Sequence, residues 1–237
     1  MSKINFPNPR DHEFSEWVLF GDYYYNARDI IGFGGDLTIE NLRNAYRQGI
    51  FPWHIDGLPL PWYCPEERAI LEFDELHLPR SLRREWKKTR FSFSIDKAFR
   101  AVITNCSRVR RSDGFGTWIT ADFIRAYCAL HRAGDAHSVE VWDEDGQLVG
   151  GLYGVDSGGV FCGESMFHLR PNASKFALLH FIEYLKTRGS TWIDIQVMTP
   201  HFEVLGAEEI PRRVYLDKLE EAQRRELKLF ENTNRSI

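Results

Sequence analysis

The stretch from residue 173 to 187 constrains the fold more than any other part of this sequence. Its apolar residues recur at helical spacing and form a broad stripe, and Gly189 follows the stretch as a stop signal. Residues 191–197, TWIDIQV, then alternate like a β-strand. A long apolar helix that leads into a strand is typical of a helix packed on a sheet. The stripe consists of Phe176, Leu178, Leu179, Phe181, Ile182 and Leu185.

Shorter elements precede this helix. Thr38 is a plausible N-cap for a helix that Gly49 closes. Two strands separated by Glu144-Asp145-Gly146 predict a hairpin. The predicted elements are, in chain order, a helix at 37–48, a strand at 69–73, a basic helix beginning at 81, helices at 97–105 and 121–132, the hairpin strands SVEVWD and LVGGLYGV, and a strand at 159–165.

This order is typical of an α+β, N-acetyltransferase-like (GNAT) fold, in which helices flank a mixed sheet that is splayed around a substrate cleft. Residues 54–67, HIDGLPLPWYCPEE, are rich in Pro, Gly and aromatic residues and exclude a regular helix. We therefore predict a small N-terminal α+β domain at 1–66 and a second, larger domain at 67–237 that contains the mixed sheet. The charged tail at 220–235 is interpreted as a solvated or frayed helix.

Composition narrows the class of protein. The chain of 237 residues has a net charge of −4, so nucleic-acid binding would depend on a local basic patch. It contains neither a secretory-signal pattern nor an apolar run of about 20 residues, which leads us to expect a cytoplasmic monomer with no membrane partner. The cysteines form no CxxC pair and are expected to be buried thiols rather than zinc ligands or disulfides. They are Cys64, Cys106, Cys128 and Cys162.

The loop before the long helix bears on the acyl donor. Enzymes of this fold that use acyl-CoA bind its pyrophosphate with a glycine-rich loop at this helix N-terminus. Here the loop reads LRPNASK, and Asn172 or Ser174 is better interpreted as a helix cap. A CoA donor is disfavoured, and we expect neither a cofactor nor a metal.

Nine motifs occur together in one order: GIFPW, WYCPEERAIL, TWI, AHSVEVW, LVGGLYGV, FCGESMF, NASK, IDIQ and LGAEEIPR. From about residue 34 to residue 213 the chain resembles the leucyl/phenylalanyl-tRNA–protein transferases. The resemblance implies transfer of leucine or phenylalanine, with methionine as a further candidate, from aminoacyl-tRNA to the N-terminal amine of proteins that begin with Arg or Lys. The products would be marked for N-degron proteolysis. Departures from the family pattern occur at Leu152, Tyr63-Cys64 and His168.

Such a reaction is the aminolysis of an activated ester, which needs orientation and a proton acceptor. Asp194 and Gln196 lie at i and i+2 of one strand, so their side chains share a face. In agreement with the family, we expect Asp194 to polarise Gln196, whose carbonyl oxygen draws a proton from the amine, with final proton loss to Asp194, water or the ribose oxygen. The alternative is that both residues are polar groups on the solvent face of a half-buried strand.

Glu164 in GESMF is the further carboxylate expected in the cleft, where it would hold the acceptor's cation or the donor's amine. The alternative is an internal salt bridge, because an unpaired buried charge is costly. Six positions match the family's donor pocket, although each is equally suited to a plain core: Leu152, Phe161, Met166, Phe181, Tyr184 and Ile193.

Two groups of residues are candidates for binding tRNA. Trp53 and Trp118 would stack on the terminal adenosine, although both could instead be packing residues. A basic cluster would contact acceptor-stem phosphates, with a solvated helix face as the alternative. The cluster consists of Arg80, Arg83, Arg84, Lys87 and Lys88.

Two other functions stay open from the residues alone. One is an acetyl-CoA-dependent N-acetyltransferase, and the other is a non-catalytic tRNA-binding module. His131 and His137 have no nucleophile at a telling spacing and are interpreted as structural.

Overall fold

Residues 3–109 and 117–231 are described by a computed structural model, and within these ranges the chain forms twelve strands and seven helices. The strands are β1 (Trp17–Phe20), β2 (Tyr23–Asn26), β3 (Ile30–Phe33), β4 (Phe51–Pro52), β5 (Pro61–Tyr63), β6 (Glu67–Glu72), β7 (Ser92–Ile95), β8 (Ala136–Trp142), β9 (Leu148–Asp156), β10 (Phe161–His168), β11 (Trp192–Gln196) and β12 (Glu208–Pro211). The helices are α1 (Ile39–Arg47), α2 (Arg80–Trp86), α3 (Phe99–Cys106), α4 (Ala121–Arg132), α5 (Ala173–Thr187), α6 (Pro200–Val204) and α7 (Arg212–Arg224).

A mixed sheet organises the molecule. In the described part of the chain it has seven strands in the order β12-β6-β11-β10-β9-β8-β7. Strands β10 and β11 run parallel, and the other neighbouring pairs are antiparallel. The connection between the parallel strands is α5, as a crossover between parallel strands requires. The predicted mixed sheet with flanking helices is therefore confirmed.

Several predicted elements agree closely with the structure. Helix α1 begins after Thr38, whose side chain accepts a hydrogen bond from the Asn41 backbone N–H. Helices α4 and α5 span the predicted residues, and β8 and β9 form the predicted hairpin. Strand β10 extends three residues beyond its predicted end, to His168. Strands β7 and β12 and helix α7 were not predicted.

Helix α5 packs its apolar stripe on the sheet. All six stripe residues are buried, and burial of each such side chain stabilises the fold by about 1.5–3 kcal/mol. The first turn of α5 lies against Gly150 of β9, where an added Cβ would lie 2.6 Å from the Ala173 Cβ. A side chain at residue 150 would therefore push the helix away from the strand.

The start of α5 differs in detail from the predicted cap. Asn172 occupies the N-cap position, but it has a left-handed φ of 63° and makes no side-chain capping bond. Instead its Nδ2 donates to Glu85 Oε2 on α2 at 2.6 Å. Ser174 Oγ lies 3.5 Å from His168 Nδ1. Neither side chain therefore caps the helix by accepting an N–H.

The C-terminal tail is less solvated than its charge suggested. Residues 220–224 complete α7, and Leu229 beyond it is fully buried. The Phe230 ring stacks on His137, with the two centroids 3.5 Å apart. The predicted helix is confirmed for residues 220–224, but residues 225–231 are not helical, and the apolar side chains among them pack on the sheet rather than being solvated. Residues 232–235 lie outside the described part of the chain.

The N-terminal segment forms two small sheets, β1-β2 and β3-β5-β4, and helix α1. Its buried residues belong to the same hydrophobic cluster as residues of α3, α4 and β9, including Trp62 and Tyr153. This shared core brings α1 against α4, beside the point where β10 and β11 meet. No helix within residues 3–109 and 117–231 has the length and apolar character needed to cross a membrane.

Candidate active site between strands β10 and β11

Two β-bulges shape the site. Strand β10 shifts its register against β9 at Glu164, and β11 shifts its register against β6 at Ile195. Within the described chain, the one pair in register between β10 and β11 is Cys162 with Asp194. Beyond that pair, side chains rather than backbone bonds join the strands. Bulges near active sites commonly re-aim side chains in this way.

Asp194 is held in a closed ion-pair network. Arg68 on β6 binds it in a bidentate manner, with Nε 2.8 Å from Oδ1 and Nη2 2.6 Å from Oδ2. The Tyr215 hydroxyl donates to Oδ2 at 2.9 Å, and the Gln196 backbone N–H donates to Oδ1 at 2.9 Å. Asp194 and Arg68 are 0% and 1% exposed. The carboxylate is thus paired with a cation inside the protein.

Arg68 also connects strands β6 and β11 to the N-terminal segment. Its guanidinium lies between the rings of Phe51 and Tyr215, 4.7 Å and 4.5 Å from their centroids. Nη1 donates to the Gly49 carbonyl oxygen at 3.1 Å. Removing Arg68 would therefore loosen the end of α1 as well as Asp194.

Gln196 has an unusual backbone. Its φ of 65° is left-handed, a conformation that non-glycine residues seldom adopt. The bond from its N–H to Asp194 Oδ1 fixes this conformation. The side chain turns the other way, and Nε2 donates to Glu164 Oε1 at 2.6 Å. Within the described chain no donor binds Gln196 Oε1, which is left for another molecule.

Glu164 has only neutral partners. The Tyr46 hydroxyl donates to Oε1 at 2.6 Å, and Gln196 Nε2 donates to the same oxygen. The Tyr127 hydroxyl lies 3.2 Å from Oε2 and 2.5 Å from the Tyr46 hydroxyl, so its single proton is shared between these two acceptors. No cation of the described chain pairs with this carboxylate, so the alternative of an internal salt bridge is wrong. Tyr46 lies on α1 and Tyr127 on α4, which explains why the packing of these helices matters to the site.

Burial dominates the proton affinity of this cluster. Removal from water raises the pKa of Glu164 to about 7, although the hydrogen bonds from Tyr46, Gln196 and Tyr127 oppose the change. Burial, followed by the neighbouring Glu164 charge, raises the pKa of both tyrosine hydroxyls well above their ordinary value. The tyrosines therefore stay protonated as donors, whereas Glu164 can gain or lose a proton near neutral pH.

Four residues of this site escaped the sequence reasoning: Arg68, Tyr46, Tyr127 and Tyr215. Arg68 could have been identified from the sequence, because a charged residue in the apolar strand ERAILE needs a buried partner of opposite charge. Asp194 is likewise a charged residue in the apolar strand IDIQ. The tyrosines gave none, since an aromatic residue on a helix stripe is equally suited to plain core.

The predicted donor-pocket residues lie together in one hydrophobic cluster between α5 and the sheet. Phe161 and Phe181 meet edge to face with centroids 4.5 Å apart, and Tyr184 stacks on Phe181 at 6.1 Å. Met166 and Tyr184 are half-buried, and Leu152 and Ile193 are buried. Phe230 of the tail packs against the same aromatic group.

The two candidate tryptophans contact each other. Trp53 and Trp118 are stacked with centroids 4.9 Å apart, and Trp118 is buried against Phe123. Beside them lies a cavity of about 740 Å³ between the start of α1 and α4, with His54 and Thr120 in its lining. Trp53 keeps part of its surface exposed.

The basic cluster lies on and just after α2. Leu82 and Trp86 face inward, and Trp86 contacts Phe176 of α5 with centroids 5.3 Å apart. The cationic side chains are exposed, and none makes an ion pair with residues 3–109 or 117–231. The cluster, named the α2 patch below, comprises Arg80, Arg83, Arg84, Lys87 and Lys88.

The remaining polar candidates have structural partners. His137 Nδ1 lies 2.6 Å from Asp96 Oδ2, and His131 Nδ1 lies 2.7 Å from the Ala136 carbonyl oxygen. The four cysteines are buried free thiols, as predicted. In the described part of the chain, no three His, Cys, Asp or Glu residues are grouped as metal ligands.

Comparison with known proteins identifies the family. The sequence pattern of the leucyl/phenylalanyl-tRNA protein transferases matches residues 70–220, and that of their N-terminal domain matches residues 35–66. A leucyl/phenylalanyl-tRNA–protein transferase of Pseudoalteromonas atlantica is 47% identical over 81% of this chain and 82% of its own length. Those of Syntrophobacter fumaroxidans and Desulfatibacillum aliphaticivorans are 48% and 46% identical over 87% and 88% of the chain, and 88% and 89% of their own lengths.

Among solved structures, L-PGS from Bacillus licheniformis is 16% identical and covers 57% of this chain and 47% of its own, with a TM-score of 0.39. That score is too low to establish a shared fold. The sequence matches decide the identity: the chain belongs to the leucyl/phenylalanyl-tRNA protein transferase family and is an aminoacyltransferase.

Proposed function

We propose that this chain transfers leucine or phenylalanine, with methionine as a further candidate, from aminoacyl-tRNA to the N-terminal α-amine of proteins that begin with Arg or Lys. Membership of the family is the main support for this proposal. The Glu164–Gln196 pair adds to it, because it presents a free amide oxygen beside a buried carboxylate. The product is marked for N-degron proteolysis. The enzyme acts in the cytoplasm as a monomer and uses no cofactor.

Gln196 orients the attacking amine in this proposal. Its Nε2 is bound to Glu164, so Oε1 faces away and accepts a hydrogen bond from the amine. Asp194 supports Gln196 through the backbone N–H rather than through the side chain. Because an amide is a weak base, Gln196 positions the amine and does not itself keep the proton.

The donor side chain enters the cluster between α5 and the sheet. An apolar pocket of this kind discriminates modestly by size, which suits a donor that is either leucine or phenylalanine. Leu152 replaces the methionine expected in relatives, and the preference between the two donors depends on this position. The proposed lining is Leu152, Phe161, Met166, Phe181, Tyr184 and Ile193. Glu164, the proposed polar contact of the substrates, contacts Tyr46 and Tyr127 of the other hydrophobic cluster.

The tRNA is bound at two places. Trp53, backed by Trp118, offers a surface on which the terminal adenosine stacks beside the α1–α4 cavity. The α2 patch contacts acceptor-stem phosphates, because its cations have no internal partners. Removal of Arg83 and Arg84 is expected to reduce the salt dependence of tRNA affinity, by a slope of about 0.7–0.9 for each lost phosphate contact. Unchanged salt dependence would exclude the patch as a phosphate contact.

We also propose that the sheet belongs to an N-acetyltransferase-like fold and that a domain boundary lies at residue 66. Within the described residues the mixed sheet has one parallel pair of strands, which is compatible with that fold class. The strand that carries Arg68 begins directly after the proposed boundary.

One assay tests the reaction against its alternatives. The protein is incubated with a labelled donor and a protein that begins with Arg, and the donor is Leu-tRNA, Phe-tRNA, Met-tRNA or acetyl-CoA. The same protein with an N-terminal Ser serves as the acceptor control. We expect label to move only from the tRNAs and only to the Arg N-terminus. Transfer from acetyl-CoA would identify an N-acetyltransferase, and tRNA binding without any transfer would identify a binding module.

A further inference from the structure

Three buried carboxylates of the described chain differ in how many of their lone pairs are used. An ionised carboxylate has about four acceptor positions, two on each oxygen. Asp194 receives two donors on each oxygen, and so does Glu140, which binds Ser94, Ser138 and two backbone N–H groups at the start of α3. Glu164 receives two donors on Oε1 but only the long bond from Tyr127 on Oε2. Glu164 alone of these three keeps an acceptor position for a substrate.

We propose that Glu164 is a catalytic residue that takes the proton from the acceptor's amine, and that Tyr46 and Tyr127 are the positioning residues that hold its carboxylate. This inference rests on the proposed aminoacyl transfer and names its proton acceptor. The open position is on Oε2, and Gln196 Nε2 binds the other oxygen of the same carboxylate, so the two side chains are adjacent, and we assign both of them to the same amine. Glu164 keeps 8% of its surface exposed, whereas Asp194 is fully enclosed.

In the proposed transfer, Glu164 carries a proton from the acceptor's amine to the ribose oxygen. The acceptor arrives as an ammonium group and gives one proton to the Glu164 carboxylate. The neutral nitrogen attacks the ester carbonyl carbon, so that a C–N bond forms and the bond from that carbon to the ribose oxygen breaks. Glu164 returns its proton to the ribose oxygen, and the second proton of the nitrogen goes to water.

The groups that face Glu164 are consistent with this role. Tyr46 on α1 and Tyr127 on α4 are neutral donors, Cys162 on the same strand is a buried thiol, and the Asp194–Arg68 ion pair lies behind Gln196. An α-amine titrates at about 7.7–8.0, close to the pKa of about 7 that burial gives Glu164. A general base is most effective when its pKa lies near the working pH.

The test is a pH profile of single-turnover transfer from Phe-tRNA to a peptide that begins with Arg, between about pH 5.5 and 9. We expect a bell-shaped wild-type profile, which rises as Glu164 ionises near 7 and falls as the free amine loses its proton near roughly 8, because the amine and Glu164 together must hold one proton. Glu164→Gln should lower the rate at pH 7 by about 10²–10⁴-fold and keep only the amine ionisation. Tyr46→Phe should move the enzyme ionisation to higher pH, because the carboxylate loses a donor.

Exposed residues supply the matched controls: Glu221→Gln and Tyr24→Phe should leave the profile unchanged. Circular dichroism and tRNA binding verify that each variant is folded. A Glu164→Gln protein with the wild-type rate, or with both ionisations intact, would overturn the proposal. If that variant does not fold, an unmoved ionisation in Tyr46→Phe overturns it. If the wild-type protein transfers no amino acid, the proposed aminoacyl transfer is wrong. If the wild type is active but the Glu164→Gln profile is unchanged, only the role of Glu164 is wrong.

Discussion

Asp194 and Glu164 lie on neighbouring strands of one sheet, yet these two buried carboxylates have different kinds of hydrogen-bond partners. Asp194 has a cation, Arg68, and four donors. Glu164 has two hydroxyls and one amide, and it keeps a free acceptor position. A buried carboxylate with a cation keeps its charge, whereas one with neutral partners exchanges its proton near neutral pH. The first arrangement suits a fixed support, and the second suits a proton acceptor.

Breaking the ion pair should produce the largest effect. Arg68→Met leaves the Asp194 charge buried without a cation, and the free energy of unfolding should fall by about 3–5 kcal/mol. At about pH 5, where Glu164 is still protonated, Glu164→Gln should cost about 1 kcal/mol, because it replaces one neutral side chain with another. Urea denaturation measures both. The double variant Arg68→Met/Asp194→Leu should recover most of the loss, since no buried charge remains. Equal losses in the two single variants would erase the contrast between the sites.

The pH dependence of stability provides the next largest effect. The folded-state pKa of Glu164, about 7, lies above its ordinary value of 4.5, so the folded protein binds this proton more tightly than the unfolded chain does. The stability gained from that proton is fully present below pH 4.5 and is lost as the pH rises through 7. Relative to Glu164→Gln, the wild-type free energy of unfolding should fall by on the order of 3 kcal/mol over this window. Parallel stability curves for the two proteins would contradict this assignment.

A smaller loss of stability distinguishes Tyr215, which binds Asp194, from Tyr46, which binds Glu164. Tyr215→Phe removes one donor from Asp194 and should reduce the free energy of unfolding by about 1.5–3 kcal/mol, the usual value for a hydrogen bond to a charged group. Because Arg68 still fixes the charge of Asp194, the enzyme ionisation in the transfer profile should stay in place. Thermal unfolding and the single-turnover profile are the two measurements. A shift in that ionisation as large as the one expected for Tyr46→Phe would show that the hydrogen bonds of Asp194 control the Glu164 ionisation as strongly as those of Glu164 itself.

The contrast also explains what the sequence could reveal. Local signals predicted α1 and α5, because Thr38 caps the first and the apolar stripe defines the second. Gln196 and Glu164 were predicted to lie in one cleft, and a hydrogen bond of 2.6 Å joins them. Their partners could not be predicted, since Arg68 and Tyr46 lie 126 and 118 residues away along the chain from the carboxylates that they bind. Both bulges are irregularities in the pairing with another strand, and a regular alternation of residues gives no sign of them.

A direct measurement of the Glu164 ionisation tests the central claim. Protein carrying ¹³C-labelled glutamate carboxyl groups is titrated by NMR, and comparison with Glu164→Gln assigns the resonance. A midpoint close to 7 is predicted, because burial among neutral donors favours the protonated form. A midpoint near the ordinary value of 4.5 would show that Glu164 stays ionised throughout the working range and is not the proton acceptor.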